Sequence, residues 1–413
     1  MQINADLHLH SKYSMATSQK MNLPTMAEEA GKKGINLVGT GDCTHPKWLQ
    51  EIKKASSDDE SIQINDTHFL LTTEIEDKNR VHHVLILPSI SKAEELAEII
   101  SKHGDIESDG RPSVRMDGCD IAQAARDTGA LIGPSHAFTP WTAIYAAHDS
   151  LEDCYGDMTD YISFVELGLS ADSDYADRIK ELHRLTFLTN SDAHSPWSNK
   201  LAREFTRFEV PDINFEGIEK AILRKEGYNA TLNVGFFPQE GKYNESACVS
   251  SKCLNHYTYE KASSLNWKCP CGGRIKKGVY DRVNELADFD NPQHPDYRPE
   301  YIHLIPLAEI IMKALGHSSI NTKGVTRAWN TLVKEFGSEI AVLVDAELEA
   351  LDVDERIIDA IVAFRNGDVI LHPGGGGQYG WIELPEKTVS KSQSRPVSEN
   401  KSSPKGQSSL LDY

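Results

Sequence analysis

The sequence predicts an α/β fold, a parallel strand–helix barrel, and three observations carry that expectation. Short apolar strand patterns alternate with helical ones through the first half of the chain. The residues able to bind metal gather where those strands end, as they do at the active face of such barrels. The opening stretch, Met1 to Ser14, runs a strand straight into His8-Leu9-His10. Side chains two apart on a strand share a face, so two imidazoles converge on one point. That is a natural start for a divalent metal site.

Ile3 to Leu7 is the first strand. A helix follows, with Pro24 in its first turn and Gly34 placed to end it. Residues 36–40 read as a buried strand ending at Gly41-Asp42, residues 68–75 as a strand carrying Glu74, and residues 81–87 as one carrying His82 and His83. Ser91 with Glu94 forms a capping box for a helix through His103, and Asp117 to Thr128 is another helix. Residues 130–134 lead to Ser135-His136. Residues 162–167 form a strand, residues 174–184 a helix, and residues 186–189 a strand running into Asn190-Ser191-Asp192-Ala193-His194. Val210 to Gly227 reads as a closing helix. His8, His10, Asp42, Glu74, His83, His136, Asp192 and His194 thus all fall at or near strand ends.

The 413 residues suffice for two or three domains. No run reaches the roughly 18 apolar residues of a membrane helix, and no leader is expected at the N-terminus. Seven cysteines are an odd number for a disulfide framework, so a cytoplasmic chain without a membrane partner is expected. A net charge of −19 weighs against nucleic acid, but residues 252–282 hold seven Lys/Arg against two acidic residues.

The motifs DLHLHS, SDAHS and PSH, with an intervening Glu, resemble those of the polymerase-and-histidinol-phosphatase (PHP) superfamily over roughly residues 1–230. The resemblance implies a distorted seven-stranded barrel that holds two or three divalent ions (zinc, magnesium or manganese) and hydrolyses phosphoesters. By motif order, it implies that His8 and His10 bind one metal with Asp192. Glu74 bridges to a second, which His83 and His136 complete, and Asp42 with His194 holds a third. Asp192, His194 and Glu74 are then the catalytic candidates. His82 is the neighbouring candidate for the place of His83, since alternation lets only one face the site. The stretch after His10 lacks the acidic residue or His that many members carry there. Cys43, beside Asp42, is expected to be a buried structural thiol.

Beyond the barrel, Cys248, Cys253, Cys269 and Cys271 form two close pairs, the pattern of one structural zinc in a ribbon. His256, Tyr257, Tyr259, Trp267 and Tyr280 interleave with its basic residues, a pattern suited to phosphate contact and base stacking. Residues 302–316 and 324–336 read as helices, with further short helices to Arg365. A loop with glycines at 374–377 follows, between strands at 369–371 and 381–384. Four glycines in a row let a backbone approach a ligand closely. The domain reading is therefore a barrel over 1–230, a four-Cys domain over 231–300, a helical module over 301–384 and a disordered tail over 385–413. In that tail Gln407, Leu410 and Tyr413 resemble a short sliding-clamp-binding peptide.

Barrel, four-Cys insertion and helical module ending in PGGGGxYG together resemble the endonuclease Q family over nearly the whole chain. That resemblance implies a DNA-repair endonuclease that nicks 5′ of deaminated bases (uracil, hypoxanthine, xanthine) and abasic sites. A nuclease that senses a small change on a base edge is expected to take that base out of the stack into a pocket between barrel, ribbon and helical module, with the Gly374–Gly377 loop near it. A PHP-type small-molecule phosphoesterase is the alternative; it leaves the last 180 or so residues without a role.

Overall fold

Strand β1 (Gln2–Asp6) lies inside a nine-stranded curled sheet of a computed structural model that describes residues 1–347 and 353–385. β2 (Leu37–Gly39) and the long β4 (Thr67–Glu76) continue from it in parallel, with β3 (Ile62–Ile64) hairpinned onto β4. β5 (His82–Leu87) and β6 (Leu131–Pro134) then add antiparallel. β7 (Phe164–Glu166) and β8 (Thr186–Leu188) form a separate parallel pair. On the other side of β1 stands β9 (Phe205–Glu209), antiparallel to it, and then β10 (Asn229–Gly235), antiparallel to β9. The Ser163 N–H donates to Ile132 O at 3.0 Å, and Asn233 Nδ2 donates to Phe187 O at 3.1 Å. The β7–β8 pair therefore bridges the two ends of the sheet, and the curl approaches a barrel.

The α/β half-barrel agrees with the fold class expected; the all-parallel sheet does not. β4 and β5 are joined by residues 77–81 alone, and a connection that short can only make a hairpin. The closing helix is also shorter than expected, Phe215–Ile222: Asn214 caps its start, and Arg224 and Glu226 turn to positive φ (53° and 57°) just past its end. Of the expected helix at 174–184, only Ser173–Ala176 is α-helical, and a 3₁₀ turn covers Lys180–Arg184.

Two apolar layers fix which way each strand faces. Ile3, Ala5, Leu70, Val84, Ile86 and Phe164 share one buried cluster inside the curl, closed at one end by Ile218 and Ile222 of that helix. Leu71, Leu85, Leu87 and Ile132 pack with the outer helices. On β4 and β5 the even-numbered residues therefore point inward.

The ribbon begins with β11 (Ala247–Cys248), which pairs antiparallel with β12 (Ile275–Lys276). The chain then returns to the main sheet as β13 (Glu300–His303), parallel to β10. The sheet thus runs past residue 230, and Ile302–His303 are strand where a helix was expected. The helical module is Leu307–Leu315, Lys323–Phe336 and Glu355–Arg365, followed by a hairpin of β14 (Ile370–His372) and β15 (Trp381–Glu383). Gln407, Leu410 and Tyr413 lie outside the described residues. No described helix is long and apolar enough to cross a membrane.

A buried ion pair fastens the helical module to the barrel. Lys33 Nζ lies 2.7 Å from Glu339 Oε1 and donates to Ser198 O at 2.6 Å. Glu339 also accepts from the Leu307 N–H and from Trp329 Nε1. Replacing Lys33 with alanine leaves that carboxylate buried without its cation, an expected loss of about 3–5 kcal/mol in denaturant unfolding. A loss within the scatter of surface mutations would exclude this fastening role.

Candidate functional site

The C-terminal ends of β1, β4, β6 and β8 and the N-terminal end of the antiparallel β5 bring imidazoles and carboxylates together in three overlapping groups: His8, His10 and Glu74; His10, Asp192 and His194; Glu74, His82 and His136. Within each group the ligand atoms lie within 4.8 Å of one another. His10 Nε2 stands 3.1 Å from Asp192 Oδ1 and 3.5 Å from Glu74 Oε2. His8 Nε2 is 3.6 Å from Glu74 Oε1. His82 Nδ1 and His136 Nε2 both approach that same oxygen at 3.0 Å.

The backbone bends sharply to deliver these groups. Asp42, His136 and Asp192 all have positive φ, at 49°, 31° and 48°. Such left-handed conformations in non-glycine residues concentrate at functional sites. Gly168 makes room for one of them, because a Cβ there would stand 2.5 Å from the His136 Cβ.

Carboxylates behind the first two histidines set their tautomers. His8 Nδ1 donates to Glu166 at 2.9 Å, and His10 Nδ1 donates to Asp42 at 3.1 Å. Each ring is thus held with its Nε2 lone pair facing the cluster. His8 Nε2, His10 Nε2 and Asp192 Oδ1 are buried, and none has a hydrogen-bond partner. Unpartnered buried nitrogens and carboxylate oxygens aimed at common points are the donor set of a divalent metal centre, and these residues fit one.

The carboxylates favour positive charge inside the cluster, which without a metal is supplied by protons on the imidazoles. Burial alone would lower the His8 pKa, but Glu166 and Glu74 raise it well above the ordinary value. Burial would raise Glu74, yet His82 and His8 beside it hold it well below the usual carboxylate range. His194 falls to about 4, chiefly through burial and then the nearby His10, so it is neutral at physiological pH.

Two expectations need correcting. His83 is not in this centre. Inward-facing positions on β5 are even-numbered, so His82 points to Glu74 while His83 points to the outer layer, its Nδ1 2.8 Å from the Tyr155 hydroxyl. Asp42 does not pair with His194. One of its oxygens takes His10 Nδ1, and the other accepts from the Ser11 N–H at 2.6 Å and the Ser14 hydroxyl at 2.9 Å. Asp42 holds the His10 ring in place, and the group containing His194 uses Asp192 and His10.

Sequence reasoning missed Glu166 and Arg111. Glu166 ends β7 on the same face as Phe164, so the strand-end rule would have found it. Besides His8 it accepts from the His136 N–H and from Asn190 Nδ2. Arg111 lies on an irregular loop, with Nη1 3.3 Å from Glu74 Oε2, and no motif marks it. Second-layer carboxylates on metal-binding histidines are worth about 10–100-fold in affinity or activity. Glu166→Ala is therefore expected to weaken metal binding by about that factor in a metal titration. An unchanged titration would remove Glu166 from the centre.

The four ribbon cysteines also converge. Cys248 Sγ and Cys271 Sγ are 3.5 Å apart, as are Cys253 Sγ and Cys269 Sγ. Thiolates 2.3 Å from a tetrahedral zinc stand about 3.8 Å apart, so the cluster fits one ion. The Tyr257 hydroxyl, 3.0 Å from Cys269 Sγ, pulls that thiol down to about 6. Tyr257 and Trp267 pack on the small ribbon core, whereas Tyr259 and Tyr280 stay exposed. The glycine loop serves the fold itself: Cβ atoms at Gly374 and Gly376 would stand 2.4 Å from Gly241 O and 2.5 Å from Cys248 O.

Comparison with known proteins follows this geometry. A model of the family described as the MJ0043 C-terminal domain matches residues 306–368. The uncharacterised MJ0043 protein of Methanocaldococcus jannaschii is 46% identical over 261 residues, 62% of this chain and 32% of that relative. The chain's match therefore spans about a third of that protein's length. The crystal structure of the lesion-specific endonuclease PfuEndoQ from Pyrococcus furiosus superposes with a TM-score of 0.90 at 49% identity, covering 95% of this chain and 98% of that one. Endonuclease Q in complex with a 27-mer duplex bearing an abasic lesion at its active site gives 0.88 at 49% identity, with the same coverage.

Proposed function

The chain belongs to the endonuclease Q family, and from that membership and the site's chemistry we propose that it is a metal-dependent DNA-repair endonuclease. Its substrates are duplexes with deaminated bases (uracil, hypoxanthine, xanthine) or abasic sites, cut 5′ of the lesion. The observation that carries this reading is the convergence of unpartnered His8 Nε2, His10 Nε2 and Asp192 Oδ1 around Glu74.

In this reading His8, His10, Glu74, His82, His136, Asp192 and His194 hold two or three divalent ions, whose chemistry when bound is to activate water and stabilise the attacking and leaving oxygens of a phosphoester. Zinc, magnesium and manganese are the candidates. Glu166 and Asp42 keep the first two imidazoles turned inward. Arg111, at the mouth, faces the negative charge of the scissile phosphate. Cys248, Cys253, Cys269 and Cys271 hold one structural zinc.

The target base leaves the stack so that its edge can be read. A cleft of about 230 Å³, lined by Phe138, Pro140, Tyr145, Lys276, Lys277 and Arg282, supports a contact surface where barrel meets ribbon. Its apolar wall suits a base, and its cations suit the backbone. A tight pocket excludes thymine by its methyl group.

End-labelled duplexes carrying one uracil, one hypoxanthine, one abasic site or no lesion test this reading, with a phosphomonoester alongside. Nicks only beside lesions are expected. Turnover of the phosphomonoester alone would move the chain to the small-molecule phosphoesterases. The clamp-like spacing of Gln407, Leu410 and Tyr413 adds a separate expectation. Removing residues 407–413 should leave cleavage of short duplexes unchanged and abolish stimulation by a loaded sliding clamp. Undiminished stimulation would make the spacing accidental.

A further inference from the structure

The outer face of β5 holds a second set of unpartnered metal-binding atoms. His83 Nε2 and Asp77 Oδ2 are buried without a hydrogen-bond partner and stand 3.6 Å apart, too far for a good hydrogen bond. Cys154 Sγ completes the group: one ligand atom from each of the three residues lies within 4.8 Å of the others. These residues come from the β4–β5 turn, from β5, and from the short helix Leu151–Tyr155.

The remaining polar atoms of the group are already engaged. Asp77 Oδ1 accepts from the Asn79 and Val81 N–H groups at 2.7 and 2.8 Å. His83 Nδ1 meets the Tyr155 hydroxyl at 2.8 Å, an oxygen able to accept the Nδ1 proton and leave Nε2 free for a metal. His83 Nε2 and Asp77 Oδ2 remain unused, with the Cys154 thiol beside them. Gly118 lies over them: a Cβ there would stand 2.6 Å from Cys154 Sγ and 3.3 Å from His83 Cε1.

We propose that Asp77, His83 and Cys154 form a buried structural site for a zinc-like divalent ion, separate from the reaction centre. One nitrogen, one carboxylate oxygen and one thiolate select a borderline-soft cation such as zinc over magnesium or calcium. Nitrogen and oxygen ligands of a tetrahedral zinc lie about 3.3 Å apart, close to the separation here. On binding, the sulfur–metal bond replaces the thiol S–H bond and the proton goes to solvent. Three protein donors leave the fourth position to a water. The ion would tie the β4–β5 turn and the helix to the strand whose adjacent residue, His82, faces the reaction centre. It would hold His82 in place without touching substrate.

Crystals of the full chain grown with zinc, measured at the zinc absorption edge, test this directly. A peak bounded by Asp77 Oδ2, His83 Nε2 and Cys154 Sγ is expected, with the ribbon peak as internal standard. A ribbon peak without this one overturns the proposal. In solution, Cys154→Ala should carry about one zinc fewer per chain than the unaltered protein. Equal zinc content would also overturn it, and the crystal measurement stands even if the variant fails to fold.

Discussion

Replacing Asp192 with alanine is expected to lower the cleavage of a lesion-bearing duplex by about a thousandfold or more, while duplex affinity changes by less than about threefold. The asymmetry follows from position. Asp192 Oδ1 is 3.1 Å from His10 Nε2, 3.9 Å from His8 Nε2 and 3.7 Å from His194 Nδ1. In the proposed centre it is the carboxylate set among three imidazoles, and alanine would leave their metal without it. A loss of about 4 kcal/mol in transition-state stabilisation, ordinary for a crippled metal centre, is about a thousandfold in rate. In the proposed function, binding rests on basic and aromatic groups of the ribbon and the cleft, which the substitution does not touch. Single-turnover cleavage and fluorescence anisotropy on the same duplex separate the two effects. A variant that cuts at the full rate would place the reaction elsewhere.

The second large effect is expected at Cys269. The ribbon's fully buried core is Cys248, Ala262, Cys269 and Ile275, too little apolar surface to hold a domain without its metal. Its two strands pair over Ala247–Cys248 and Ile275–Lys276 alone. Cys269→Ser should cost the zinc, and with it the protection of the ribbon's amides against hydrogen exchange, because metal binding and folding are one event in such modules. Duplex affinity should fall by about tenfold or more, since the charges of Lys276 and Lys277 would no longer be held beside Arg282, which the barrel anchors through Tyr145 O and His148 O. Barrel amides should exchange as before. Ribbon amides that stayed protected in the variant would show that the fold stands without zinc.

Much of the centre was legible in the sequence because it is local. His8 and His10 follow one strand, and Asp192 and His194 follow another. The four cysteines fall in two tight pairs. The choice between His82 and His83 was not legible, for a physical reason. Every residue of β5 is buried, so its hydrophobic pattern has no polar face to set the phase. Only the partner strands decide which parity points inward. Asp42 has a similar explanation: a carboxylate at a strand end can bind a metal or orient the histidine that does, and sequence spacing does not separate the two. The antiparallel turn into β5 was written in the short 77–81 connection. β9 and β10 were hidden because their pairing partners lie far along the chain, where local pattern has no reach.

The central claim, that the histidine–carboxylate centre is the reaction site of a lesion-directed nuclease, is tested most directly by metal titration. Protein stripped by a chelator is mixed with a duplex carrying a single uracil, and manganese, magnesium or zinc is then added stepwise. The account predicts no nick before metal and, as metal is restored, one nick on the 5′ side of the uracil, with Asp192→Ala inert throughout. Nicking of the stripped protein at the full rate, or equal cutting of an undamaged duplex, would contradict it.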